Sequence, residues 1–227
     1  RGDRTSIDLP AVQKKMLSSL LATGKPVIFV LMTGSAVGLE WEDRNVPAII
    51  NAWYAGQAGG DAVADVIFGD YNPAGRLPVT FYRSVADLPD FEDYSMEGRT
   101  YRYFRGKPVY AFGHGLSYTD FNYSDLRISL LGDGSLKVSV KVTNSGERDG
   151  DEVVQLYISN DRKFRTPIRS LKGFDRISLK AGESVDVVFT VAPDELTVVD
   201  QKGASVPMKG RITVSVGGGQ PGYASDC

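Results

Sequence analysis

The sequence predicts two architectures in succession: a partial α/β layer with a mostly parallel sheet and helices, then an all-β sandwich of two sheets. Three observations carry this. Up to Phe81, helix-like apolar faces alternate with continuous apolar runs of strand length. From Leu126 the apolar period becomes two. Turn-forming clusters then separate the alternating segments, as antiparallel strands joined by short connections require.

The segment Arg1 to Pro10 reads as a connector entering a helix, with Asp8 as a candidate cap and Pro10 in the first turn, where its missing N–H costs little. Val12, Met16 and Leu20, with Leu17 and Leu21, form one apolar face, and Gly24 is expected to stop the helix. Pro26 to Met32 is a continuous apolar run, the pattern of a strand buried on both faces. A polar turn at Thr33-Gly34-Ser35 follows, and Val46 to Trp53 reads as a second buried strand. Gly56-Gln57-Ala58-Gly59-Gly60 turns the chain into a helix over Asp61 to Phe68, with Ala62, Val63, Val66 and Ile67 on its apolar face. Gly69 can supply the left-handed residue that ends it. Alternating helices and strands favour right-handed parallel crossovers. So few strands, covered on one side, would leave an apolar face open, and a missing N-terminal half is the expectation that follows.

Residues 83–120 form an aromatic-rich loop region that closes a first domain at 1–120. Loops of that length are functional or docked against another domain. The second domain, 121–227, begins with a boundary near Phe121 to Asp125. Leu136, Val138, Val140 and Val142 alternate with polar residues, as do Val154, Leu156 and Ile158. Val185, Val187, Phe189 and Val191, then Ile212, Val214 and Val216, repeat the pattern. Turn signals lie at Asn144-Ser145-Gly146, Lys180-Ala181-Gly182 and Gln201-Lys202-Gly203. About seven strands in about 95 residues imply a sandwich.

Composition removes several functions. Hydrophobic residues at 42% and charged residues at 24% are ordinary for a globular protein. A formal net charge of −2 gives no reason to expect nucleic acid or an anionic membrane as partner. No apolar run approaches the roughly 20 residues that cross a bilayer. The chain opens in a charged segment, so no signal peptide is expected. One cysteine, Cys227, leaves no internal disulfide and no thiolate metal site, and one histidine, His114, excludes any site of two imidazoles.

A specific resemblance rests on short motifs in order. Trp53-Tyr54, Gly56-Gln57, Gly59-Gly60, Gly69-Asp70-Tyr71-Asn72-Pro73 and Gly75-Arg76-Leu77-Pro78-Val79-Thr80-Phe81 resemble the second domain of glycoside hydrolase family 3. Glu97-Gly98-Arg99-Thr100-Tyr101-Arg102-Tyr103-Phe104 and Phe112-Gly113-His114-Gly115-Leu116-Ser117-Tyr118 extend it. Ala55 and Ala111 stand where the family usually has proline. The GRTYR core is more similar to the β-xylosidases of the family than to its β-glucosidases. The β-rich half resembles the immunoglobulin-like, fibronectin type III-like domain that ends many family members. The resemblance implies a nucleophilic aspartate in an N-terminal barrel domain and an acid/base glutamate shortly before the segment matching Gly2-Asp3-Arg4. Neither position falls in this chain, so no catalytic residue is assigned; Glu40, Glu42 and Glu97 are not promoted in their place. No metal or organic cofactor is implied, and a periplasmic or secreted setting is favoured.

Among the residues themselves, Glu97, Arg99, Tyr101 and Arg102 form the most suggestive group. Carboxylate and guanidinium groups bond sugar hydroxyls, and tyrosine offers an apolar face with a polar tip. The same residues could equally brace two domains as a salt-bridged loop. Trp53 and Tyr54 could stack on a sugar ring or pack at an interface. His114, between two glycines, reads as a turn residue. Asp61 and Asp65 share a helical face and Asp70 sits in a turn, so solvation or capping accounts for them. Gly217 to Gly222 matches G-x-G-x-x-G but has no helix after it to bind a pyrophosphate. Arg1-Gly2-Asp3 reads as chance, and Asn122-Tyr123-Ser124 is a sequon only in a glycosylating source.

The expected function is part of an exo-acting retaining β-glycosidase that releases terminal β-D-xylosyl or β-D-glucosyl residues from β-linked oligosaccharides, inactive as this fragment alone. The alternative is a non-catalytic polysaccharide-binding or scaffolding module, which exposed coplanar aromatics would favour. Tyr157, Phe164 and Phe174 are scattered, and Phe189 lies on the inward parity. A flavodoxin-like nucleotide binder is a distant third, because no phosphate-cradling loop follows the first strand.

Overall fold

The computed structural model describes residues 5–161 and 166–223. Arg1-Gly2-Asp3, Phe164 and Cys227 lie outside the described residues. The chain divides into two compact units. The first comprises Arg1–Tyr71, Val79–Gly98 and Arg105–Ala111; the second comprises Asn72–Pro78, Arg99–Phe104 and Phe112–Cys227.

In the first unit, α1 spans Ala11–Leu21. Pro10 sits just outside it with an extended ψ of 141°, and no side chain caps the helix, contrary to the expectation for Asp8. The reason is a competing contact: Asp8 forms a bridge with Gly38, which holds it extended. The expected apolar face is also turned. Leu17 is buried, whereas Val12, Met16 and Leu20 are 72%, 56% and 46% exposed. Gly24, at φ 73°, ends the last turn as expected.

Strand β1, Ile28–Leu31, pairs in parallel with β2, Ala48–Asn51, from Ile28 opposite Ala48 to Leu31 opposite Asn51. Both are shorter than their apolar runs. Val46 follows directly on α2, Glu40–Asn45, a single short helix that the sequence pattern had not revealed. Trp53 takes a left-handed backbone at φ 53°, which no strand can continue. Burial on both faces of β1 is not met, since Ile28 and Met32 are exposed. Helix α3 spans Gly59–Phe68, two residues earlier than expected, and Gly69 at φ 83° donates its N–H to the Val66 carbonyl, as the C-terminal turn demands. Phe81 is buried and bridges Tyr110.

The second unit is the sandwich, with short helix α4, Thr100–Tyr103, packed into it. One sheet runs β3 (Phe121–Leu130), β4 (Leu136–Asn144) and β7 (Ser184–Val191). The other runs β10 (Ile212–Gly217), β5 (Gly150–Asn160) and β6 (Ser170–Leu179). The small hairpin of β8 (Thr197–Val199) and β9 (Ser205–Pro207) completes the described strands and was not foreseen. All pairs in both sheets are antiparallel. β3 breaks register between Ser124 and Arg127, where Asp125 is left-handed at φ 53°.

The core draws on both sheets. Val140, Val142, Val154, Leu179 and Val187 form one cluster; Val138, Leu156, Ile158 and Val191 form the other. Phe189 packs against both, on the inward side as its parity implies. On β5 the alternation fails in an informative way: Gln155 and Tyr157, on the opposite parity, are buried too. Loop segments from earlier in the chain cover that outer face.

Candidate functional site

The first unit places Trp53 and Tyr54 just beyond the C-terminal end of β2, where α/β sheets present loops for ligands. At the end of β2, Asn51 keeps both side-chain polar atoms buried and without a hydrogen bond. Two residues on, left-handed Trp53 packs tilted against Phe81 with centroids 6.1 Å apart. Tyr54 is 77% exposed. Its ring lies over Gly34 of the β1 loop, where a Cβ would come within 2.7 Å of Tyr54 Cε2. Backbone strain of the Trp53 kind clusters at functional sites.

The acids of this unit are otherwise occupied. Tyr110 donates its hydroxyl to Asp43 Oδ1 at 2.7 Å. Burial first, then the Asp43 bond and the Asp43 and Glu42 charges, push the Tyr110 phenol well above its usual range. Glu42 is wholly buried, and neither carboxylate oxygen has a partner. Glu40 pairs with Arg44 at 2.6 Å on the surface of α2. Asp61, Asp65 and Asp70 are exposed on and just after α3. Among the described residues no three His, Cys, Asp or Glu side chains gather as a metal site. Glu97 is exposed and belongs to this unit, so the sequence group to which it was assigned is divided between the units.

Arg99, Tyr101 and Arg102 belong to the second unit. Thr100 adopts φ 56° at the start of α4, a costly position for a β-branched residue. The Tyr101 ring stacks on Phe112 at 4.2 Å and 16°, and meets Tyr157 edge-on at 6.1 Å. Its hydroxyl accepts from the Leu171 N–H at 3.1 Å. The Arg102 carbonyl accepts from the Ile168 N–H at 2.7 Å, while the guanidinium of this exposed residue lies 5.7 Å from the Tyr103 ring centre. His114, half-buried, accepts at its carbonyl from the Leu77 N–H, as a turn residue would.

A buried polar network in the same unit escaped the sequence reading. Arg76 Nη2 contacts Glu152 Oε2 at 2.6 Å, the two side chains being 9% and 3% exposed. Tyr123 donates to Glu152 Oε1 at 2.7 Å, and burial, reinforced by that carboxylate, drives the Tyr123 phenol far upward. Arg76 Nε and Gln155 Nε2 both donate to the Gly218 carbonyl, so the glycine run near the C-terminus serves as an acceptor loop, with no helix after it up to Tyr223. Asn144, fully buried, accepts from Thr119 Oγ1 and Gly146 N–H and donates to the Arg148 and Leu179 carbonyls. A signal was present for both hubs. Glu152 shares its parity with Val154, Leu156 and Ile158, and Asn144 with Val138, Val140 and Val142; a polar residue on an inward parity must be paired.

Residues 1–118 match the model of the glycosyl hydrolase family 3 C-terminal domain. The chain belongs to glycosyl hydrolase family 3. Residues 152–220 match a fibronectin type III-like domain, within the sandwich. Among family 3 relatives, a xylan 1,4-beta-xylosidase of Xylanibacter ruminicola is 49% identical over 200 residues, covering 88% of this chain and 23% of its own length. A periplasmic beta-glucosidase of Salmonella typhimurium is 40% identical over 230 residues, covering 94% of this chain and 30% of its own. In structure, a β-glucosidase from Erythrobacter marinus superposes with a TM-score of 0.84 at 38% identity, over 98% of this chain and 30% of that one. The chain thus spans less than a third of the length of these relatives.

Proposed function

We propose that this chain is the C-terminal part of an exo-acting, retaining β-glycosidase that removes terminal β-D-xylosyl or β-D-glucosyl residues from oligosaccharides. The observation that carries the reading is the 49% identity to the Xylanibacter ruminicola xylan 1,4-beta-xylosidase. Retention needs two carboxyl groups roughly 5 Å apart, one attacking and one passing a proton. Among the described residues, Glu42 is sealed from solvent and Asp43 is bonded to Tyr110, which suits neither to such a pair. Both reacting acids are assigned to the parent protein outside this chain, the nucleophilic aspartate to an N-terminal barrel domain and the acid/base glutamate to a loop shortly before the segment matching Gly2-Asp3-Arg4. The exposed faces of α1 and β1 are the surfaces proposed to meet that barrel domain. Trp53, Tyr54, Glu97, Arg99, Tyr101 and Arg102 are proposed, each on its own unit, as rim of the substrate pocket or as contacts to that domain. No cofactor enters this mechanism.

The polysaccharide-binding alternative draws less support. Tyr157 is buried and Phe189 points inward, which leaves Phe174, 69% exposed, without a coplanar aromatic partner on the described strands. The test is hydrolysis of aryl β-D-xyloside and aryl β-D-glucoside by the full-length protein, with the product anomer followed by NMR. Release of the β-anomer first is expected. First release of the α-anomer, or turnover of neither substrate, contradicts the reading.

A further inference from the structure

The outer face of β5 is the part of the sandwich that departs from simple alternation, and what covers it is the turn carrying Arg102. Tyr157 donates to Gln155 Oε1 at 2.6 Å, and Gln155 Nε2 donates to the Gly113 carbonyl at 3.1 Å. Gly113 is left-handed at φ 79°, and a Cβ there would collide with Gln155 Oε1. Neighbouring Phe112 carries the Tyr101 ring, which Tyr157 meets from the edge. The backbone on either side of Tyr101 is fixed as well. Thr100 is left-handed, its carbonyl accepts from the Phe104 N–H at 2.9 Å, and the Arg102 carbonyl is bound by Ile168. Strain of the Thr100 kind persists only where surrounding contacts over-determine it. Here the ring and hydroxyl of Tyr101 and the carbonyl of Arg102 are all committed to the sandwich. Arg102 itself is exposed, and its guanidinium, over the Tyr103 ring, carries donors in a planar fork.

We propose that Tyr101 is a positioning residue, through which the β-sandwich holds the Arg102 guanidinium in place to bond hydroxyl oxygens of the bound sugar. This rests on the glycosidase reading above. It divides two neighbours that the sequence treats alike: the Tyr101 ring and hydroxyl are engaged with Phe112, Tyr157 and the Leu171 N–H, while Arg102 is exposed. It also gives the sandwich a part in substrate binding without a carbohydrate platform of its own. The device resembles the support of a binding group by packed neighbours that lock its placement.

The experiment compares full-length wild type with Tyr101→Leu, Tyr101→Phe, Arg102→Met and Val191→Ala, the last a core truncation on β7. Two quantities are read: trypsin cleavage after Arg99 and Arg102, and KM and kcat for an aryl β-glycoside. Tyr101→Leu is expected to speed cleavage and to raise KM about tenfold with kcat little changed. Tyr101→Phe, which keeps the stack, falls between it and wild type. Arg102→Met raises KM as far as Tyr101→Leu does, without loosening cleavage after Arg99. Val191→Ala lowers the melting temperature but leaves KM where it was. Unchanged cleavage in Tyr101→Leu overturns the anchoring, and a wild-type KM in Arg102→Met overturns the sugar contact. Reproduction of both effects by Val191→Ala overturns the whole proposal. A wild type that turns over no glycoside sinks the glycosidase reading instead, and with it the sugar contact, while cleavage still decides the anchoring.

Discussion

Truncating Glu152 to alanine is expected to destabilise the β-sandwich by about 3–5 kcal/mol, the usual cost of stranding one member of a buried ion pair. Arg76 would keep its carbonyl acceptors at Gly218 and Gly75 and lose its carboxylate partner. Its charge would remain in a site where the side chain is 9% exposed. Tyr123 would lose its acceptor at the same time. The pair itself need not be strongly stabilising, because two desolvated charges recover their hydration only through good geometry. The double variant Arg76→Met/Glu152→Met is therefore expected to regain most of the loss. Urea midpoints followed by far-UV circular dichroism read both. A Glu152→Ala variant within about 1 kcal/mol of wild type would contradict the network as described.

Asn144→Asp is expected to cost about 3 kcal/mol at neutral pH, although the two side chains have nearly the same shape. The amide nitrogen donates to the Arg148 carbonyl at 2.7 Å and the Leu179 carbonyl at 3.2 Å. A carboxylate would set an acceptor against both. The acceptor bonds from Thr119 and Gly146 would survive, so the loss is specific to the donors. Burial raises the pKa of the introduced carboxyl in the folded state above its unfolded value. The deficit relative to wild type is then complete above the folded pKa and shrinks as pH falls toward about 4, where the protonated group donates again. Equal deficits at pH 7 and pH 4.5 would show that the donors are not the cause.

These two hubs mark the limit of what residue patterns convey. The period-two runs on β4 and β5 and the turn at Asn144-Ser145-Gly146 are local, so they are legible directly. That Asn144 and Glu152 sit on inward parities is legible too, but each has a partner distant in sequence, Thr119 25 residues from Asn144 and Arg76 76 residues from Glu152. Helix α3 and its end at Gly69 follow from spacing and a left-handed glycine. Helix α2, only six residues long, is too short to display a period. The outward turn of Val12, Met16 and Leu20 cannot be read from a face that is apolar whichever way it points. Trp53 and Tyr54 were singled out as aromatics, yet the left-handed backbone that separates a packed ring from an exposed one has no signature in residue type. Tyr101 and Arg102 read alike in sequence and diverge in the fold because one ring is stacked, edge-packed and hydrogen-bonded.

The most direct test of the account places the purified 227-residue chain and the full-length protein side by side with an aryl β-D-xyloside and an aryl β-D-glucoside. Hydrolysis by the longer protein, with release by the shorter chain no faster than in buffer, is the predicted result. Saturable turnover by the 227 residues alone, abolished by Glu42→Gln or Asp43→Asn, would place the reacting acids inside this chain and contradict the account.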